Sequence, residues 1–139
     1  MNFKPVSAKN AEYYTWGGKC DACFLLKGDD IHVIQERMPP GSAEIAQVHL
    51  KSRHHFYALR GELTMANASA AATIPAGHAV FIEPNVPHRA TNESAEDVEF
   101  LVIPCPPSHG DRLDCETRIR LTRERVSRRR APNGNTLQG

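Results

Sequence analysis

The sequence predicts an all-β single domain, a sandwich or barrel of many short strands. The chain has 139 residues, enough for one domain with a hydrophobic core of its own. Short apolar segments alternate with Gly, Pro and Asn turns, and no convincing helix occurs through residue 103. The candidate strands are residues 22–26, 31–38, 47–50, 55–65, 71–74, 79–82, 88–91 and 98–103.

The chain is expected to have three parts. Residues 1–19 form an N-terminal arm, and their aromatic residues Tyr13, Tyr14 and Trp16 suit a contact in a homodimer. Residues 20–105 form the barrel. Residues 106–139 form a C-terminal extension whose few apolar residues fit neither a helical nor a strand period, so an irregular, partly disordered tail is predicted.

Charge separates the extension from the rest of the chain. The net charge is +1, but residues 1–111 hold nine Lys and Arg against thirteen Asp and Glu, and residues 112–130 hold eight Arg against three acidic residues. Arginine clusters can contact the phosphates of nucleic acids. No aromatic platform accompanies this cluster and the remaining chain is acidic, so we expect a solvated tail and no nucleic-acid partner.

The sequence also predicts a soluble cytoplasmic protein without a membrane partner. No apolar run approaches the roughly 20 residues that span a bilayer, and the N-terminus lacks the apolar stretch of a signal peptide. Cys20 and Cys23 have the spacing of half a zinc site or of a redox pair. They run into a predicted strand, where residues three apart face opposite sides, so we favour two incidental free thiols.

Histidines and glycines recur at a defined spacing in the middle of the chain. Five residues separate Gly41 from Gln47, one separates Gln47 from His49, four separate His49 from His54, and six separate His54 from Gly61. Side chains two apart on a strand share a face, so Gln47 and His49 can both point into a barrel. His54 can return from the adjoining strand after a short reversal.

A second group contains Gly77, His88 and Asn92. Together the two groups resemble the cupin motifs G-x5-H-x-H-x3/4-E-x6-G and G-x5-P-x-G-x2-H-x3-N, over roughly residues 35–103. The resemblance implies a jelly-roll barrel, or double-stranded β-helix, of the small single-domain bacterial cupin type. Glu83 and Asn85 replace the Pro and Gly of the second motif.

The resemblance further implies that Gln47, His49, His54 and His88 hold one divalent transition metal. Gln47 stands at the usual first histidine and His54 at the usual glutamate, yet every position keeps a donor. Similar small cupins carry the same three-His, one-Gln shell with these two positions exchanged. The alternative is a metal-free barrel whose polar cluster is satisfied by water or ligand. His55 is expected to face away by strand alternation.

The predicted shell contains no carboxylate, and imidazole-rich sites favour Fe, Ni, Cu, Zn or Co over Mn. An octahedral ion would keep two positions for an anionic bidentate substrate or O2. Among the functions that the resemblance to cupins implies, we favour a metal-dependent small-molecule enzyme, an oxidoreductase of the dioxygenase type. The alternatives are a non-catalytic module that binds or senses a sugar or carboxylate, and a sugar isomerase or epimerase. Tyr57 and Glu83 are candidate acid–base groups if they line the pocket.

Overall fold

The computed structural model describes residues 3–107 and 111–114. These residues form β-strands and no helix, and therefore no helix able to cross a membrane. The strands are β1 (Glu12–Trp16), β2 (Cys20–Lys27), β3 (His32–Met38), β4 (Gln47–His49), β5 (Arg53–Arg60), β6 (Glu62–Ala66), β7 (Ala71–Pro75), β8 (Ala79–Ile82), β9 (Arg89–Thr91), β10 (Val98–Cys105) and β11 (Arg112–Asp114).

Two antiparallel layers enclose the interior. The first is a six-stranded sheet in the order β1-β2-β3-β10-β5-β8. The second layer combines the sheet β7-β6-β9 with the pair β11-β4. Two isolated bridges join this sheet to the segment that contains β4: Ala43 pairs with Thr91, and Gln47 pairs with His88. The chain therefore has the predicted all-β jelly-roll architecture.

Strand alternation determines which side chains reach the interior. On β5, His54, Phe56 and Ala58 are buried while the intervening residues are exposed. Phe56 and Phe100 of β10 are fully buried, with ring centroids 6.2 Å apart. They form part of one core cluster that also contains residues of β6, β7 and β9. The core thus fills the space between the layers, and Phe56 also contacts the histidines described below.

The predicted strand 55–65 is wrong in one respect, because Gly61 divides it. β5 belongs to the first layer and β6 to the second, and Gly61 between them has a φ of 77°. A Cβ at this position would lie 2.6 Å from the carbonyl oxygen of Asp97, so a close backbone approach adds to the need for glycine. The uninterrupted alternation on both sides of Gly61 concealed the change of sheet.

Strands β1 and β11 lie outside the predicted barrel, residues 20–105. β1 pairs with β2, and Trp16 stands opposite Cys20. β11 pairs with β4 and consists of the first three residues of the Arg-rich stretch. The rest of that stretch lies outside the described residues, so the irregular tail stays a prediction. The homodimer also stays a prediction, with Tyr13 and Tyr14 exposed on β1.

Candidate metal centre

Three histidines from distant parts of the chain meet inside the barrel. His49 ends β4, His54 lies near the start of β5, and His88 directly precedes β9. One ring nitrogen from each can be chosen so that all three lie within 4.8 Å of one another. All three residues are buried, with His88 only 1% exposed. The structure thereby brings together three of the four predicted ligands, which we call the histidine cluster.

Backbone hydrogen bonds fix the segments that carry the cluster. The Gln47 N–H donates to the carbonyl of His88, and the His88 N–H donates to the carbonyl of Gln47, both at 2.9 Å. The Asn85 N–H donates to the carbonyl of His49 at 2.7 Å. Strand β4 and the segment before β9 therefore cannot separate without breaking these bonds.

The ring nitrogens of the cluster have an unusual environment. His88 Nδ1 lies 2.9 Å from the carbonyl oxygen of Val86. A carbonyl only accepts, so Nδ1 carries the proton and Nε2 keeps its lone pair. That Nε2 and both ring nitrogens of His49 and His54 are buried without a hydrogen-bond partner. Buried polar atoms are normally satisfied, and one metal ion would satisfy one nitrogen of each ring, which accounts for three of these five.

The cluster is neutral at physiological pH. Burial, and then the proximity of His88, lowers the pKa of His49 from 6.5 to about 4. Burial, followed by the charges of His49 and His88, lowers the pKa of His54 to about 3. Burial also lowers the pKa of His88, although its bond to Val86 opposes the shift. Neutral imidazole is the form that binds a metal.

A cavity of about 350 Å³ opens beside the cluster. Its wall combines imidazole, amide, carboxyl and aromatic groups. The lining residues include Gln47, His49 and His54 at one end and Tyr14, Trp16, Glu36 and Glu44 elsewhere, with Arg112 from β11. This volume is in the range of sites for small molecules.

A sequence model of the family described as "Cupin domain" matches residues 34–104, just over half of the chain. The chain belongs to the cupin family. No curated protein matches it.

Solved structures agree with this cupin in fold at low sequence identity. TT1209 from Thermus thermophilus is 24% identical, over 74% of this chain and 98% of that one, with a TM-score of 0.64. The polyketide cyclase RemF from Streptomyces resistomycificus is 17% identical, over 76% and 81%, with a TM-score of 0.66. A sugar phosphate isomerase from Silicibacter pomeroyi is 13% identical, over 73% and 75%, with a TM-score of 0.66. Proteins with different activities share this barrel, so the fold does not determine the reaction of this cupin.

Gln47, the fourth predicted ligand, is 5% exposed and lies on the same strand as His49. Its amide Nε2 donates to a carboxyl oxygen of Glu44 at 3.2 Å. When the Glu44 carboxyl is ionised it can only accept, so the amide nitrogen of Gln47 then points towards it. Gln47 lines the cavity, and its role as a metal ligand stays a prediction.

The sequence reasoning missed the two carboxyl groups of the cavity. Glu36 is 8% exposed, and its carboxyl faces the cavity from β3. Burial, and then the charge of Glu44, raises its pKa well above 4.5, against an opposing effect of the Trp16 indole. The sequence contained a signal for this residue, because Ile34, Glu36 and Met38 alternate onto the buried face of β3.

Glu44 is a partly buried residue that contacts two other parts of the site. Desolvation raises the pKa of its carboxyl to about 7. Three influences oppose the shift: the hydrogen bond from the Ala90 N–H at 2.9 Å, the bond from Gln47, and the charge of Arg112. Glu44 thus contacts β4 through Gln47 and β9 through Ala90.

Other residues singled out in the sequence lie away from the site. Tyr57 faces outward and is 39% exposed. The Glu83 side chain is 61% exposed and lies 3.9 Å from Arg53. His55 is exposed, with its ring against Phe81 at 4.6 Å. None of them lines the cavity. Cys20 and Cys23 are buried free thiols, and neither belongs to the histidine cluster.

Proposed function

We propose that this cupin binds one divalent transition metal through Gln47, His49, His54 and His88 and acts as a metal-dependent enzyme on a small molecule. An oxidoreductase of the dioxygenase type is the leading reaction class. The observation that carries the proposal is the set of three buried imidazoles beside a cavity, each of which has a ring nitrogen without a hydrogen-bond partner. When bound, a divalent ion would supply Lewis acidity, and iron would also supply O2 chemistry.

The residues around the ion would orient the substrate and exclude water. The proposed shell is neutral, so the charge of a divalent ion would favour an anionic group on the substrate. Arg112 on the cavity wall adds positive charge to the same region. The buried histidines and the core beneath them keep bulk water from one side of the site.

The position of Glu36 favours a second candidate, a metal-dependent isomerase or epimerase. Such reactions move protons on the substrate, and they need a side chain that can donate or accept one. Glu36 lines the cavity, and burial raises the pKa of its carboxyl well above 4.5. A carboxyl group with a raised pKa is suited to donate a proton.

Metal analysis and oxygen consumption test these candidates. Protein purified without added metal is expected to contain about one ion of Fe, Ni, Cu, Zn or Co per chain, because the described residues contain one such donor set. The iron-loaded protein, supplied with ligands from a screen, is expected to consume O2. Turnover without O2 consumption would favour the isomerase, and ligand binding without turnover would favour a sensing module. A chain that neither retains nor takes up metal would contradict the whole proposal.

Exchanging the ligand types at two positions tests the four-residue shell. The double variant Gln47→His/His54→Gln keeps three imidazoles and one amide oxygen, so it is expected to bind metal better than His54→Gln alone, which keeps only two imidazoles. Gln47→His alone creates four imidazoles and should bind Cu, Ni or Zn more tightly. Metal affinities of the four proteins form a double-mutant cycle. If the double variant binds no better than His54→Gln, the two positions do not share one ion.

A further inference from the structure

The carboxylate of Asp111 lies against the turn between two strands that carry cluster histidines. This ligand turn consists of Leu50, Lys51 and Ser52, between His49 on β4 and His54 on β5. The backbone N–H groups of all three residues donate to Asp111. The bonds are 3.2 Å from Leu50, 2.9 Å from Lys51 and 2.9 Å from Ser52.

Two further contacts attach the C-terminal segment to the same place. The Ser52 hydroxyl donates to the carbonyl of Pro106 at 2.6 Å, and Ser52 is 1% exposed. Strand β11, which follows Asp111 directly, pairs with β4 so that Arg112 stands opposite His49. Pro106, Asp111 and strand β11 thus all contact the ligand turn or the strand that leads into it.

Asp111 is an effective anchor because of its charge. An ionised carboxylate forms stronger hydrogen bonds with backbone N–H groups than a neutral acceptor does. A single side chain that accepts from three successive N–H groups restricts the backbone angles of the whole turn. The ligand turn sets the separation of the strand ends that carry His49 and His54, and metal affinity depends on how well donors are preorganised.

We infer that Asp111 is a positioning residue for the metal centre: it fixes the ligand turn and thereby the relative placement of the His49 and His54 imidazoles. The inference rests on the proposed metal binding. Asp111 lies beyond residues 34–104, so the part of the chain that matches the family does not include it. The C-terminal segment thereby contributes to the geometry of the metal centre through Asp111.

Metal titration of Asp111 variants tests the inference with the full-length chain. Asp111→Ala removes all three bonds and is expected to weaken Co2+ binding by about 10-fold, the lower end of the range for residues that support ligands. The visible absorption of bound Co2+ should also change, because the donor arrangement changes. Asp111→Asn keeps one acceptor oxygen and should fall between the wild type and Asp111→Ala.

Asp97→Ala is the matched control, since Asp97 is a surface aspartate that pairs with Arg37 at 3.1 Å, away from the ligand turn. It should leave both Co2+ affinity and the spectrum unchanged. The inference is overturned if Asp111→Ala and Asp111→Asn lower the unfolding temperature but bind Co2+ as the wild type does, with the same spectrum. A wild type that binds no Co2+ would instead overturn the proposed function, and this inference with it.

Discussion

Replacing His54 with Ala is expected to remove bound metal, whereas the same replacement at His55 is expected to leave it in place. The two histidines are neighbours on β5, but strand alternation directs them to opposite faces. His54 is 5% exposed and belongs to the histidine cluster, while His55 is exposed and packs against Phe81 on the outside. Loss of one of three imidazoles should reduce metal affinity by more than about 100-fold, beyond the effect of losing a supporting residue.

The pair of variants is its own control, because both lose the same side chain from the same strand. Metal content per chain after identical purification gives the first measurement, and Zn2+ affinity by competition with a chelator gives the second. Circular dichroism should show that both variants keep the β-fold. Equal metal content in the His54→Ala protein and the wild type would remove His54 from the shell, and equal loss in both variants would indicate a general effect on folding.

Replacing Glu36 with Gln should stabilise the metal-free protein increasingly as the pH rises. The pKa of Glu36 is raised in the folded state, so between 4.5 and that raised value the folded chain holds a proton that the unfolded chain has released. Wild-type stability therefore falls with rising pH, by up to about 1.4 kcal/mol per pH unit from this group. Gln has the same shape and no ionisation, so the variant lacks this contribution.

Urea unfolding of the metal-free proteins at several pH values measures this difference. Glu62→Gln is the control, because Glu62 is an exposed glutamate on β6. The charge of Glu44 helps to raise the pKa of Glu36, so Glu44→Gln should lower the pH at which the Glu36 effect levels off. If the free energies of unfolding of the wild type and Glu36→Gln change in parallel with pH, Glu36 is not desolvated as the structure describes.

Local pattern was sufficient to predict much of the site. Strand alternation predicted that His55 faces away, and the motif spacing selected His49, His54 and His88, which the structure brings together. These predictions succeeded because side-chain direction on a strand depends only on neighbouring residues. The same alternation pointed to Glu36, but a glutamate between Gln35 and Arg37 resembles an ordinary exposed position, so its burial was missed.

Other features depend on strand pairings that sequence periodicity does not encode. Trp16 reaches the cavity only because β1 adds to the edge of the six-stranded sheet next to β2. Asp111 reaches the ligand turn only because β11 pairs with β4, although a three-residue strand gives almost no periodic signal. Gly61 lay inside the predicted strand 55–65, and the passage from one layer to the other there became visible only from the pairing of β5 with β10 and of β6 with β9.

The reciprocal backbone bonds between Gln47 and His88 bear on the order in which the protein would fold and bind the proposed metal. They join segments that are far apart along the chain, and such contacts form late because loop closure precedes them. An unfolded chain has no local sequence that could hold an ion among these three histidines, unlike a zinc finger, in which nearby ligands and metal fold together. On the proposed function, the barrel would therefore close first, with its imidazoles unliganded, and would bind the ion afterwards. The metals available to the folded protein would then determine which ion occupies the site. Excess metal during refolding should raise the yield of folded protein without increasing the folding rate.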